Sequence, residues 1–217
     1  MPSQSKQDPE VQYGLAWNPR PHLIQRYAVL CAVFSGISIV ISWLAVLIIP
    51  GGFVGVGALY FASVFYAVIT YWFGGWGMLA SLIGAIVGSG VLTGMPIFLA
   101  IPYGFADVVE PLLPFLLLRI LARHSQVDAL GGNLLARPWT ACLFVIFGAM
   151  LPPFLSGLWG TWFLILAGFV PAGAFWAALL SWWLGAAILL AVLVPPICKI
   201  LSPTLRRTGM ACVGIWS

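Results

Sequence analysis

The sequence predicts an all-α, polytopic integral membrane protein with about six transmembrane helices. Composition is the first indication: 62% of the 217 residues are hydrophobic and 6% are charged, whereas a soluble domain has about 25% charged residues. Long apolar runs are the second indication, and the third is the confinement of the basic residues to three short clusters beside those runs. We therefore expect the lipid bilayer to be the solvent for most of the chain.

Six apolar runs are close to the roughly 20 residues that a spanning helix needs. The predicted helices are 27–49, 53–73, 76–92, 97–121, 138–168 and 172–200. Pro50-Gly51-Gly52 closes the first run and Gly74-Gly75 the second, while a polar loop, 122–137, follows the fourth. We expect Pro152-Pro153 to kink or divide the fifth run, since proline lacks an amide proton and clashes with the preceding turn.

The basic clusters predict the orientation of the chain. They consist of Lys6, Arg20 and Arg26; of Arg119, Arg123 and Arg137; and of Lys199, Arg206 and Arg207. Four predicted spans separate the first cluster from the second and two separate the second from the third, so all three can lie in the cytoplasm. We therefore predict a cytoplasmic N-terminal segment, 1–26, a single six-helix membrane domain, 27–200, and a short cytoplasmic tail, 201–217.

The third run has a face of small residues, formed by Gly77, Ser81, Gly84 and Gly88. Gly84 and Gly88 make a G-x-x-x-G pair, and such faces let two helix backbones approach closely. We expect this face to serve helix packing within the chain, with dimerisation as the alternative.

Two carboxylic acids stand out in the fourth run. Asp107 and Glu110 are two of only five acidic residues in the chain. At a spacing of three they share one helix face, and Asp107 lies about ten residues, or roughly 15 Å, into the predicted helix. Ionisable groups at bilayer depth are costly and mark functional sites. None of the other predicted spans supplies a lysine, arginine or histidine at this depth.

Several interpretations of the acids remain open. They are protonated, or they face a water-filled cavity, or they meet a cationic ligand, a proton or a metal ion. The structural alternative is that both are neutral and hydrogen-bonded to Tyr, Ser or Trp of neighbouring helices. Prolines interrupt the same run, which indicates either a kinked helix or a broken one beside a binding cavity.

The candidate ligand-binding residues are therefore Asp107 and Glu110 together with aromatic residues of the fourth and sixth runs, namely Tyr103, Trp176, Trp182 and Trp183. Trp176 and Trp183 are seven residues apart and share a helix face. We expect these tryptophans to wall the pocket or pack against the fourth helix. The alternative is that they face lipid.

The motifs exclude most other classes. Gly88-Ser89-Gly90 lacks the G-x-S-x-G spacing, and no predicted span carries a histidine as base. The four cysteines are widely spaced, which is not the pattern of a metal site or a disulfide framework. We expect no catalytic residues, no metal and no cofactor. The net charge of +4 reflects membrane orientation, and we expect no nucleic-acid partner.

Short motifs in the chain resemble those of a known family. They are 181–185 (Ser-Trp-Trp-Leu-Gly) with Leu166-Ala167-Gly168 before it and Val194-Pro195-Pro196 after it, then Gly74-Gly75-Trp76 with Gly84, 92–96, 107–113 and Arg119. Together they are similar to the first class of MASE-type membrane-associated sensor domains, over about 55–196. The resemblance implies a bacterial inner-membrane, multi-pass sensory module, with Glu110 as the family's in-membrane acid. We expect it to lack its own output domain and to signal through a partner protein.

A second resemblance comes from a different class. Six helices, a Gly-rich third span and a polar fourth span are similar to the substrate-binding S component of energy-coupling-factor vitamin transporters. That resemblance implies binding of a small molecule and dependence on a separate transport partner, an ATPase complex. A small-residue face on the first helix, for docking the coupling subunit, would distinguish it, and Ala28, Ala32, Ser35 and Gly36 offer one.

Overall fold

A computed structural model describes residues 13–48 and 59–217, and this part of the chain is helical without any β-strand. The α-helices are α1 (Ile24–Ile48), α2 (Ala62–Phe73), α3 (Gly75–Gly84), α4 (Ile97–Gly104), α5 (Ala106–His124), α6 (Pro138–Phe144), α7 (Leu151–Leu166) and α8 (Phe175–Arg207). π-Helical segments, Ala85–Gly90 and Val145–Met150, continue α3 and join α6 to α7. The all-α prediction is confirmed for the described residues.

In the described part of the chain, four helical stretches are long and apolar enough to cross a membrane. They are Pro21–Ile48, Gly75–Thr93, Pro138–Leu166 and Ala172–Arg207, with 28, 19, 29 and 36 residues. Their bounds follow the predicted first, third, fifth and sixth runs, although α8 extends beyond Ile200 to Arg207. The 12-residue helix α2 is apolar but shorter, and the predicted closure of the first run at Pro50-Gly51-Gly52 lies outside the described residues.

The predicted fourth helix is divided in two. α4 ends at Gly104 and α5 begins at Ala106, with Phe105 between them. Pro102 lies inside α4 and removes one helix hydrogen bond, and the glycine that follows weakens the helix further. The prolines of the fifth run have a milder effect. Pro152 and Pro153 lie in the first turn of α7, directly after the π-helical segment Val145–Met150, and the helical stretch Pro138–Leu166 continues across them.

α2 is the centre of the bundle. All of its residues except Phe65 are buried, and it packs against α1, α3, α5 and α8. The glycine at its end, Gly74, has a φ of +56°, which favours glycine and lets the chain turn directly into α3. The backbone amide of Gly75 then donates to the carbonyl of Ile215 at 2.7 Å.

The small face of the third run packs inside the chain. A Cβ at Gly84 would collide with Ser38 of α1 and lie 2.9 Å from the Tyr66 hydroxyl of α2. At Gly88 it would lie 2.7 Å from the Cβ of Ser42, and at Gly77 it would meet the backbone of α2. α1 and α3 form the most extensive helix pair, so this face brings the two backbones together as G-x-x-x-G faces do.

Residues of all three basic clusters share one end of the bundle. Arg20 donates its amide to Ser217, and Arg206 pairs with Asp128 in the loop after α5. A Cβ at Gly14 would lie 3.0 Å from the Arg123 guanidinium. At the other end, Met95 packs in a cluster with Leu164 and Val170. The contacts therefore separate a basic end from an apolar end.

Gly84→Ala tests the close approach of α1 and α3. The added methyl group overpacks a buried contact, so we expect the free energy of unfolding in detergent to fall by about 1–3 kcal/mol, despite the better helix propensity of alanine. The matched control is Gly36→Ala on α1, where a Cβ meets nothing within 4 Å. Equal melting temperatures of the two variants would contradict the assigned contact.

Candidate functional site

The two carboxylic acids lie together at the start of α5. Asp107 is in its first turn and Glu110 follows one turn later, and the side chain of each is 1% exposed. Both acids therefore face the interior of the bundle rather than its surface. The break at Phe105 places them directly after the junction between two helices.

A chain of hydroxyl groups reaches Asp107. Tyr60 donates its hydroxyl to Asp107 Oδ2 at 3.1 Å. The same hydroxyl is 2.6 Å from Ser42 Oγ of α1 and 3.4 Å from the hydroxyl of Tyr66 on α2. All four residues are buried, so this network links the carboxyl group to two further helices. Tyr103 of α4, 1% exposed, closes the site beside them.

Glu110 is contacted from three helices. Trp182 of α8 donates its indole N–H to Glu110 Oε1 at 3.1 Å. The hydroxyl groups of Ser63 on α2 and Ser156 on α7 also lie beside this carboxyl group, but neither completes a hydrogen bond. The ring of Trp182 fits against α7 because residue 160 is glycine, where a Cβ would lie 2.5 Å from the nearest ring atom.

The acids have no ionic partner among the described residues, where the only ion pair joins Arg206 to Asp128. Four buried oxygens around them also make no hydrogen bond: Asp107 Oδ1, Glu110 Oε2, Ser63 Oγ and Ser156 Oγ. Buried polar groups in proteins are nearly always partnered, and each exception calls for an explanation. The site therefore combines two buried carboxyl groups with two serine hydroxyls that complete no hydrogen bond.

The other candidate residues are placed differently. Trp183 donates its indole N–H to the carbonyl of Met150 at 2.9 Å and packs against Phe154, near the π-helical segment before α7. Trp176 is 68% exposed and contacts Phe175. Of the four aromatic candidates, Tyr103 and Trp182 join the acids, with ring centroids 5.9 Å apart, whereas Trp176 and Trp183 lie apart from them.

Several site residues were not singled out from the sequence: Ser42, Tyr60, Ser63, Tyr66 and Ser156. A signal was present, because Ser63, Tyr66 and Thr70 recur at helical spacing within an otherwise apolar helix. Their contacts with Asp107 and Glu110 are tertiary contacts. They follow from α2 lying against α5, which no local pattern encodes.

A second buried polar cluster lies at the basic end, around Arg119 of α5. The Arg119 side chain is fully buried and donates to the carbonyls of Cys212 at 2.9 Å, Val213 at 3.1 Å and Tyr71 at 3.3 Å. Its guanidinium also lies 5.2 Å from the ring centroid of Tyr13. The sequence suggested a cytoplasmic orienting charge here, but the structure makes Arg119 a central donor of a folded assembly.

That assembly consists of segments 13–20 and 208–217, which we call the terminal cap. Backbone hydrogen bonds join them from Gly14 to Val213 at 2.8 Å, from Ile215 to Ala16 at 2.8 Å and from Trp216 to Trp17 at 3.1 Å. The amide of Cys212 also bonds to the carbonyl of Trp72. The terminal cap therefore closes the basic end of the bundle over α2 and α5.

Two cavities of the described structure lie away from the carboxyl pair. An apolar groove of about 480 Å³ runs between α1, α2 and α8, and neither acid lines it. A second cavity of about 350 Å³ lies between the loop after α5 and the prolines of α8. These volumes are typical of ligand pockets, but their linings hold none of the candidate residues.

No family model, curated protein or solved structure matches the chain. Its function must therefore be argued from the site itself.

Arg119→Gln is expected to open the terminal cap. Burial raises the pKa of the Cys212 thiol to about 12, so this thiol reacts slowly near neutral pH. Loss of Arg119 removes a nearby cation, which by itself raises that pKa further. Burial is the larger cause, however, so exposure to water dominates. We expect maleimide labelling of Cys212 to rise by about tenfold or more.

The labelling is measured in a Cys142→Ser background, because Cys142 is the exposed cysteine among the four. Adding Cys212→Ser gives the blank for the other buried thiols. Arg137→Gln, an exposed arginine that bonds to Gln126 in the loop after α5, is the matched control. Labelling of Cys212 that is the same in the Arg119 and Arg137 variants would show that the cap does not depend on Arg119.

Proposed function

We propose that this chain is a multi-pass inner-membrane reception module. Its ligand occupies the carboxyl pair Asp107–Glu110, and the occupied state is passed to a signalling partner, as the resemblance to MASE-type sensor domains implies. The observation that carries the proposal is the carboxyl pair itself, buried and without an ionic partner in the described chain. Such groups are costly at membrane depth and are kept for function.

The same proposal assigns six spans with both termini in the cytoplasm. α2, with residues before it, is the second span, and α4 with α5 forms the fourth. Support comes from the basic end, where residues of all three basic clusters meet. The positive-inside rule places that end in the cytoplasm.

α5 provides a physical route from the ligand to the partner. It carries Glu110 near its start and Arg119 near its end, nine residues apart or about 14 Å along the helix. A change in the position of α5 at the carboxyl pair is therefore transmitted to the donor that holds the terminal cap. The cap lies at the cytoplasmic end in this topology, where a signalling partner would read it.

Native mass spectrometry of the protein, extracted gently from its own membranes, tests the reception role. We expect a bound small molecule or cation in the wild type and its loss in Asp107→Asn and Glu110→Gln, because each change removes an acceptor oxygen that the ligand requires. Asp128→Asn is the control, since Asp128 is an acid in the loop after α5 that pairs with Arg206.

The response to pH gives a second measurement on the same variants. We expect the ligand affinity of the wild type to change with pH between about pH 5 and pH 9. We expect the pH dependence of this affinity to be different in Glu110→Gln, while the variant still inserts into the membrane. Identical behaviour of the two proteins over this range would contradict the role of Glu110.

A transport role, as in energy-coupling-factor S components, is the second candidate. One observation favours it: Ala28, Ala32 and Gly36 lie on the exposed face of α1, and a Cβ at Gly36 meets nothing within 4 Å. α1 therefore offers a free face of small residues on which another helix can dock closely.

Ala32→Trp tests this candidate. The bulky side chain blocks close helix docking, so we expect a co-purifying ATPase complex to be lost. Ala177→Trp on α8 is the control, because Ala177 is an exposed alanine on a different helix. A co-purifying kinase or cyclic-dinucleotide synthase that both variants retain would favour sensing and exclude the transport role.

A further inference from the structure

We infer that the ligand of the carboxyl pair is an alkali-metal cation, with Na⁺ as its probe. The inference rests on the proposed function, because it names the class of ligand for the same site. Four acceptor oxygens carry it: Asp107 Oδ1, Glu110 Oε2, Ser63 Oγ and Ser156 Oγ. All belong to side chains that are at most 1% exposed, and none makes a hydrogen bond.

The arrangement of these oxygens favours a cation over a proton. A proton joins two oxygens in one hydrogen bond of about 2.5–3.0 Å. The Ser63 and Ser156 hydroxyls approach the Glu110 carboxyl without completing a hydrogen bond of normal geometry, so one proton on either acid would leave most of these oxygens without a partner. A metal cation, in contrast, is coordinated by several oxygens at once. One cation could therefore be a common partner for these oxygens.

The other oxygens of the two carboxyl groups are already engaged. Tyr60 donates to Asp107 Oδ2 and Trp182 donates to Glu110 Oε1. Each of these bonds stabilises an ionised carboxylate and orients it. The free oxygen of each group is thereby left to coordinate a ligand.

Two backbone carbonyls add to the acceptors. A helix carbonyl normally receives the amide proton four residues later, but residues 111 and 114 of α5 are proline and have no amide proton. The carbonyls of Asp107 and Glu110 are therefore the two that lose this bond. Each acid thus has an unpartnered side-chain oxygen and a backbone carbonyl that lacks its usual helix hydrogen bond. Both oxygens lie in the part of α5 that follows the break at Phe105. Broken membrane helices bind Na⁺ or protons through such carbonyls.

The set of donors selects the class of cation. They are all oxygens, which bind hard cations rather than transition metals. No third His, Cys, Asp or Glu joins the two acids in the described part of the chain. Ca²⁺ takes six to eight oxygens, usually several from carboxylates, and Mg²⁺ retains several waters. Two carboxylates, two hydroxyls and two backbone carbonyls supply six oxygens, a number that also suits Ca²⁺, so CaCl₂ is included in the test and a response to Ca²⁺ alone overturns the assignment.

Thermal unfolding of the purified, full-length protein tests the assignment. NaCl is compared with choline chloride at constant ionic strength and at pH of about 8, where carboxylates are ionised in water. We expect a saturable rise in Tm of about 3 °C or more with Na⁺, and none with choline, which is too large for the site. A similar rise with K⁺ also supports the alkali-metal class.

The decisive variant is Ser63→Ala with Ser156→Ala. It keeps both acids and their proton chemistry but removes two of the proposed ligands, so we expect the Na⁺ response to weaken by at least about tenfold in concentration. Glu110→Gln should abolish the response, and Asp128→Asn should retain it.

The outcomes separate this inference from the proposed function. If Na⁺ and choline give the same wild-type Tm, the cation assignment is overturned. A response to pH that the serine double variant keeps and Glu110→Gln loses identifies a proton as the occupant, which also overturns the assignment but leaves the reception role in place. If Tm responds to neither Na⁺ nor pH through Glu110, and native mass spectrometry finds no bound molecule that Glu110→Gln loses, both proposals fail.

Discussion

Burial of three ionisable side chains on one helix is the constraint around which the described bundle is organised. Asp107, Glu110 and Arg119 of α5 are each at most 1% exposed. They cannot neutralise one another, because nine residues, or about 14 Å of helix, separate Glu110 from Arg119. Neighbouring elements must therefore supply donors at one end of α5 and acceptors at the other. Tyr60 and Trp182 donate to the acids, and carbonyls of the terminal cap accept from Arg119.

The helices around the carboxyl pair are irregular, and this irregularity also helps to accommodate the buried acids. A regular membrane helix satisfies its own backbone and leaves no free acceptor for a ligand. Here α4 and α5 are separated at Phe105, and Pro111 and Pro114 release the carbonyls of the two acids. The bundle keeps its packing because glycines admit the neighbours closely: Gly84 contacts Ser38 and Tyr66, and Gly160 receives the Trp182 ring.

Local sequence was sufficient to predict several of the helices, but it did not predict the break between α4 and α5 or the contacts between helices. Apolar run lengths and Gly-Pro punctuation predicted α1, the α3 stretch and the start of α6 to within a few residues, because those signals act along the chain. The acids were recognisable as costly in lipid. Their partners Tyr60, Ser63 and Ser156 were not, since they come from other elements and meet α5 only through packing. Arg119 shows the same limit: its charge predicted orientation, whereas its burial depends on the terminal cap.

α5 also distinguishes the two functional candidates in physical terms. A sensor needs the state of its ligand site to reach the cytoplasmic surface, and α5 joins the carboxyl pair directly to the residue that holds the cap. A transport component must instead release its ligand, which requires the bundle to open at the basic end, the cytoplasmic end in the proposed topology. The terminal cap opposes this opening, because it ties α2, α3 and α5 together through Cys212, Ile215 and Arg119. The coupling along α5 therefore favours the proposed reception role over the transport role.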